Sequence, residues 1–406
     1  MSGIIPGRAR ETFDQVFDLA GQLRTLRENG LYREPIWIDS AQGPRVRING
    51  REFLNFCSND YLGLAADPRV AEALHRGAQE FGTGSGASAL VCGRSRAHLE
   101  LERTLAEFLG RERALLFSSG YLANLAAVSG LLRSGAGMVL EDRLNHASLL
   151  DAALLSRARL KRYAHADPDA LRKAMPPSPS RKLVLTDTVF GMDGDISPIR
   201  EIASLCAGAG ALLIADDAHG FGVLGNHGRG ALELAGLGQR EVPLLVGTFG
   251  KALGTSGAFL AGPAILIETL IQFARPYIYT TAPSPALAVA TRTALRLVIE
   301  EGWRRERLRD LINYFRDRAR ELGIAMRDSR TAIQPLVIGE PAAAVAVSER
   351  LREHGILVTA IRPPTVPRGS ARLRITLSAA HDKTQVDRLL EALATILPDR
   401  IQDARA

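Results

Sequence analysis

Lysine is scarce in this chain, with five against 46 arginines among 406 residues. One of them, Lys251, lies in "VGTFGKALGTSGAFLAG" (246–262), a stretch with no other charge. Arginine stays protonated, whereas a lysine in a desolvated pocket can lose its proton and become a nucleophilic amine. Other reactive types stand where apolar runs end. "ALLIA" runs into Asp216, Asp217, Ala218 and His219; "LVG" runs into Thr248 ahead of Lys251; "ALLF" runs into Ser118, Ser119 and Gly120. Each could singly be a helix cap. In open α/β sheets, however, ligands gather at the carboxyl ends of the strands, and three polar signals at one predicted edge mark a site.

These types meet the needs of pyridoxal phosphate (PLP). Its aldehyde needs a lysine that can become neutral, here Lys251. Its ring nitrogen stays protonated only beside a buried carboxylate, which Asp216 supplies at the end of an apolar strand. His219, three residues on, can reach the ring hydroxyl. The phosphate wants amides at a helix N-terminus and hydroxyls, offered by "SSGYLAN" and Thr248. Two rival motifs fail on context. "GTGSGA" (82–87) follows a helical stretch rather than a strand, and "GTFGKA" lacks the glycine spacing and Ser/Thr of a P-loop. No HExxH occurs, and His146, His165, His219 and His227 lack metal-ligand spacing, so no metal is expected.

The elements that must position these residues alternate. Helical segments such as "RAHLELERTLAEFLG" are interleaved with "RALLFSSG", "GMVLED", "RKLVLTD", "GALLIADD" and "PLLVGT". Short apolar runs between helices predict an α/β fold, a mostly parallel sheet sandwiched by helices. Ahead of it, 10–30 reads as an amphipathic helix, with strand-like pieces at "PIWID" and "RVRING". After 285 come two long helices, then "AIQPLVIG", "GILVTAI" and "ARLRITLS" alternating with helices at 341–354 and 382–396, a small C-terminal α/β domain. The expected division is 1–55, 56–290 and 291–406. "MPPSPSR" (175–181) reads as a loop.

Composition excludes several classes. At 46% hydrophobic and 23% charged, the chain can bury a good core. The net charge of +7 is scattered over helices, and 5% aromatic content leaves few platforms for bases, so no nucleic-acid partner is expected. The N-terminus lacks a secretory pattern, no apolar run is long enough for a bilayer, and three widely spaced cysteines suit a reducing compartment. A cytoplasmic enzyme without membrane contact is the expectation.

In order along the chain, "NFCSNDYLGL", "GTGSGASALVCG", "DRLNHASLLDAA", "VFGMDGDISPI", "ADDAHGFGVLG", "TFGKALGTSG" and "IRPPTVPRGSARLRITLSAAH" resemble the α-oxoamine synthases. These are fold-type I PLP enzymes that join an amino acid to an acyl thioester and release carbon dioxide. The resemblance implies that Lys251 anchors PLP, Asp216 pairs with the ring nitrogen, His219 with the ring oxygen, and His146 stacks on the ring. It implies that Gly120 and Tyr121 amides, with Thr248, hold the phosphate. Thr281 of "YIYTTA", with Tyr279 beside it, would reach into a neighbouring subunit's site in a homodimer. Asn59 and Arg374 would hold the amino acid's carboxylate, and Arg33 and Thr365 the rest of the substrate. "VTAIRPPTVPRGSARLRITLSAAH" is most similar to members that use L-alanine and a pimeloyl thioester, carried by coenzyme A or acyl carrier protein. Members that use glycine, or serine with a long acyl chain, remain open, as does, in other classes, a transaminase, an aldolase or a non-catalytic binding module. One departure stands out: Gly191 occupies the position that is usually Ser in "VFSMDGD".

Overall fold

The computed structural model describes residues 16–133, 135–176 and 181–397. β1 (Arg45–Ile48) and β2 (Arg51–Asn55) form a hairpin turned by Asn49 and Gly50, both at positive φ. Asn-Gly tolerates that conformation at little steric cost. The central sheet has seven strands: β3 (Arg113–Phe117), β4 (Met138–Asp142), β5 (Arg159–Tyr163), β6 (Lys182–Asp187), β7 (Leu212–Asp216), β8 (Leu244–Thr248) and β9 (Ala258–Gly262). Their order is β3-β9-β8-β7-β6-β4-β5. β9 runs antiparallel to both neighbours, and the other pairings are parallel.

The inner strands are apolar throughout because both faces are covered. Val139, Leu183, Leu185 and Ile214 pack on one face, against helices Gly120–Leu131, Ala147–Leu155 and Ala264–Phe273. Their alternating neighbours Leu140, Val184, Leu213 and Ala215 face the other way, against Pro168–Ala174 and Ile199–Ala209. Since β3 and β8 both oppose β9, the strand ends Phe117, Asp142, Asp187, Asp216 and Thr248 share one edge.

A second sheet is formed by β10 (Ile333–Gly339), β12 (Thr359–Ile361) and β13 (Ala371–Thr376), all antiparallel, while β11 (Ile356–Leu357) adds to β2 in parallel. The segment after β2 is therefore tied to the C-terminal region, and Thr376 N donates to Phe56 O at 2.8 Å. Helices Pro285–Glu300 and Trp303–Glu321 lie between the two sheets in sequence.

Several expectations need correction. "PIWID" forms no strand; Trp37 is 77% exposed there, and the segment is tied to the hairpin by Asp39 and by Ile38, which packs against Val46, Ile48 and Phe53. The N-terminal helix is Leu19–Glu28, and its expected start at residue 10 lies outside the described residues. Residues 177–180 of "MPPSPSR" also lie outside them. β5 and β9 were not expected. β5 ("RLKRY") is an edge strand whose charges guard an open edge, which masks its apolar signal. β9 ("AFLAG") is short and small-residued, and reads like the loop that precedes it.

Candidate active site

Lys251 stands in the turn after β8. Gly254 of that turn has φ +65°, and a Cβ there would lie 2.3 Å from Ala65 N. Backbone thus meets backbone, and the end of the "SNDYLGL" segment docks against the turn that carries the lysine. Lys251 Nζ is 2.9 Å from His219 Nε2. Burial lowers the amine to about 8, against the upward pull of Asp216 and Asp187 and with the downward push of Arg374. A useful fraction is therefore neutral near physiological pH.

His219 is driven well below its ordinary value by burial first, then by the positive fields of Lys251, Arg374 and His146. Its Nδ1 is 2.7 Å from Tyr61 Oη, which donates to Asn59 Oδ1 at 3.1 Å. A phenol has one proton, so the neutral imidazole carries its own on Nδ1 and presents Nε2 as an acceptor to Lys251. The hydrogen bonds run in one direction, from Lys251 through His219 and Tyr61 to Asn59.

Asp216, buried at the end of β7, accepts Asn124 Nδ2 at 2.6 Å and the Ala218 amide at 2.9 Å. Asn124 Nδ2 also donates to Ser148 Oγ at 2.9 Å, and Ser148 Oγ lies 2.7 Å from His146 Nδ1. His146 caps helix Ala147–Leu155, Ser148 N donating to its Nδ1 at 3.3 Å, and it is at the same time electrostatically linked to Asp216 and Lys251. Its pKa is lowered, chiefly by burial. Asp187 ends β6 in register with Asp216 and accepts the His146 amide at 2.8 Å. Burial, and then the charge of Asp216, push Asp187 well above the carboxylate range. The adjacent Asp217 has a different task. Fully buried, it accepts from Thr188 Oγ1 and the Ala231 amide, which fixes the turn after β7.

At the end of β3, Ser119 caps helix Gly120–Leu131 by accepting the Leu122 amide at 3.2 Å. The Gly120 and Tyr121 amides come first in that helix and have no carbonyl below them. A Cβ on Gly120 would come 3.9 Å from Thr248 Cβ, so glycine and threonine face one another across a small cradle. The Tyr121 side chain turns outward, its hydroxyl donating to Asp151. Arg374, buried in β13, donates from Nε to Gly191 O at 2.5 Å and contributes to the field on both Lys251 and His219. Arg33 Nη2 donates to Thr365 Oγ1 at 3.3 Å, joining residues 332 positions apart. Thr281 is exposed and bridged through its backbone to Ser88. Among the described residues, neither it nor the 70%-exposed Tyr279 shares a hydrogen bond with Lys251, His219 or Asp216. A cavity of ≈ 390 Å³ opens beside the lysine turn, lined among others by Ile38, Cys57, Asn59, Gly250 and Thr255.

Asn124, Tyr61, Ser148 and Asp187 escaped the sequence reading. Asn124 is the one strongly polar residue within the apolar run "YLANLAAV", and Asp187 ends its strand as Asp216 does, so both carried a usable signal. Tyr61 and Ser148 carried none beyond their neighbours. The residues fit PLP: an amine that can be neutral, a buried carboxylate one strand away, a neutral imidazole, and a helix N-terminus facing a threonine hydroxyl.

The model of the family described as aminotransferase class I and II matches residues 51–393. The chain is 55% identical over 382 residues to the 8-amino-7-oxononanoate synthase of Pseudomonas entomophila (strain L48), covering 94% of this chain and 98% of the relative. Among solved structures, the serine palmitoyltransferase of S. paucimobilis with a bound PLP–myriocin aldimine aligns with a TM-score of 0.87 at 28% identity, over 94% of this chain and 97% of that one. The 8-amino-7-oxononanoate synthase of Francisella tularensis aligns at 0.75 and 30%, over 84% and 97%. The chain belongs to the aminotransferase class I and II family and, within it, to the α-oxoamine synthases, on the side of the 8-amino-7-oxononanoate synthases.

Proposed function

We propose that this chain carries out the PLP-dependent condensation of L-alanine with a pimeloyl thioester, giving 8-amino-7-oxononanoate, carbon dioxide and the free thiol carrier, a step of biotin biosynthesis. The 55% identity over nearly the whole chain supports the substrate pair. The observation that carries the chemistry is the desolvated amine of Lys251, bonded to a neutral His219 and one strand from buried Asp216.

PLP, when bound, supplies the electron sink that makes the amino acid's α-carbon acidic. The rest falls to the chain's own residues. Lys251 anchors the cofactor and, with its lowered pKa, takes the α-proton as a base and later returns it. Asp216, fixed by Asn124 and the Ala218 amide, keeps the ring nitrogen protonated. With PLP in place, His219 would offer its nitrogen to the ring oxygen, and His146 would lie against the ring. The Gly120 and Tyr121 amides with Thr248 bind phosphate. Arg374 and Asn59 orient the alanine carboxylate, and the Arg33–Thr365 pair receives the far end of the acyl chain. The carrier is coenzyme A or acyl carrier protein.

The unit proposed is a cytoplasmic homodimer, each chain divided into 1–55, 56–290 and 291–406, with Thr281 completing the partner's site. Leu90, Val91 and Tyr279, flanking the Ser88–Thr281 bridge, are 49%, 77% and 70% exposed, an apolar surface that suits a partner. No helix among the described residues is long and apolar enough to cross a membrane.

The test is a matrix of amino acids against acyl thioesters, read by free thiol. Release that requires alanine and pimeloyl thioester together is expected. Faster turnover of glycine with acetyl or succinyl thioester would overturn the substrate assignment but not the reaction class. Transamination without any thioester would overturn the class.

A further inference from the structure

Position 191 is where this chain departs from the motif it otherwise follows, and the structure shows what occupies the space. A Cβ built on Gly191 would stand 2.6 Å from His219 Nε2, 3.3 Å from Cδ2 and 3.4 Å from Cε1. The backbone at 191 cannot recoil easily. Its carbonyl accepts Arg374 Nε at 2.5 Å. The turn around it is closed by Phe190 N to Asp195 O at 3.0 Å, Gly194 N to Phe190 O at 2.8 Å and the Val189–Ile196 bridge. The imidazole is the part able to move, and both its nitrogens are engaged, at 2.9 Å to Lys251 and 2.7 Å to Tyr61. Comfortable contact for a carbon needs about 3.5 Å, so a side chain at 191 would push the ring back by most of an ångström. A hydrogen bond does not survive such a shift unless its partner follows.

We propose that Gly191 is a positioning residue of this site: its bare backbone leaves the room in which the His219 imidazole lies in line between Lys251 and Tyr61. The inference rests on Lys251 being the cofactor's anchor, and it concerns the orientation of the residue beside that anchor. The charged and titratable groups facing this pair are Asp216 on β7, Asp187 on β6, Arg374 on β13, His146 at its helix cap and Tyr61. All are retained when residue 191 is changed, so a shift in the behaviour of Lys251 reports the ring's displacement.

The test compares wild type with Gly191→Ala and Gly191→Ser, in the full chain, by two readouts. The first is ¹⁵N-histidine NMR of cofactor-stripped protein, with the His219 signals assigned by His219→Gln. The wild type should show an Nδ1-protonated neutral ring, and both variants should lose that pattern. The second is the pH dependence of PLP capture by the stripped protein, followed by the appearance of its yellow band. Withdrawing the acceptor nitrogen from the ammonium form destabilises that form, so the midpoint should fall by about half a pH unit or more in both variants. Alanine carries a Cβ and no hydroxyl. If Gly191→Ala matches the wild type in both readouts, the proposal is overturned, whatever serine does. A wild type that never captures PLP on Lys251 overturns the functional reading instead, while the NMR comparison still decides the role of Gly191.

Discussion

Two predictions belong to single side chains. In Asp216→Asn the remaining oxygen can keep the Ala218 amide, but an NH2 replaces the oxygen that accepts from Asn124, and the negative charge that holds a ring proton is gone. If that charge raises the ring pKa by two units, at 1.36 kcal/mol each, turnover falls roughly a hundredfold while the variant stays folded and loaded with PLP. Wild-type turnover in a loaded variant would reduce Asp216 to a turn-forming residue. The second prediction contrasts two arginines. Arg374 is buried beside Lys251 and Gly191, whereas Arg33 sits exposed on Thr365. Arg374→Ala should weaken alanine binding and α-proton exchange even without an acyl donor. Arg33→Ala should leave that exchange largely intact and weaken binding of the free-acid product, since a charge counts only for the ligand that reaches it. Equal effects of both variants on exchange would refute this division.

Among elements, the turn carrying Gly191 is tied to the sheet by His165. Its Nδ1 meets Asp142 of β4 at 2.9 Å and its Nε2 meets Asp195 at 2.8 Å, with the Phe190 ring packed edge-on. Burial opposes its charge, but the two carboxylates outweigh burial and raise the imidazole to about 10. A pKa raised on folding means that the native state binds the extra proton. The stabilisation is complete below the unfolded value near 6.5 and is lost as pH rises toward 10. Unfolding in urea should therefore show wild type losing stability between pH 6.5 and 10, and His165→Gln should lack that component of the slope. Parallel slopes for the two proteins would show that the tie is neutral. At this scale the sequence was readable where periodicity is strong: β3, β4, β6, β7 and β8 stand where their apolar runs lie. It was opaque at β5, where edge exposure replaces apolar residues by charge, and at "PIWID", where Ile36 and Trp37 stay on the surface.

For the whole molecule, the prediction is that a complete site needs two chains. Thr281 is exposed in one chain and shares no hydrogen bond with the lysine group among the described residues. Lys251→Ala and Thr281→Trp should each be inactive, and mixing them should restore part of the activity through hybrid dimers. Sedimentation showing a fully active monomer would refute the shared site.

Sequence alone determined the chemistry. A lone lysine in a glycine-rich turn, a carboxylate and a histidine after one apolar strand, and a glycine-led helix after another are local patterns. The strand-end rule assembles such patterns without knowledge of packing. What tertiary structure decided depends on pairs far apart in the chain. Asn124 meets Asp216 across 92 residues, Tyr61 meets His219 across 158, and Arg33 meets Thr365 across 332. No local propensity encodes such a pair, because each exists only where independently formed elements come within hydrogen-bond distance. The space beside His219 is of the same kind: Gly191 is visible in the sequence, but only packing shows that an imidazole fills the room it leaves.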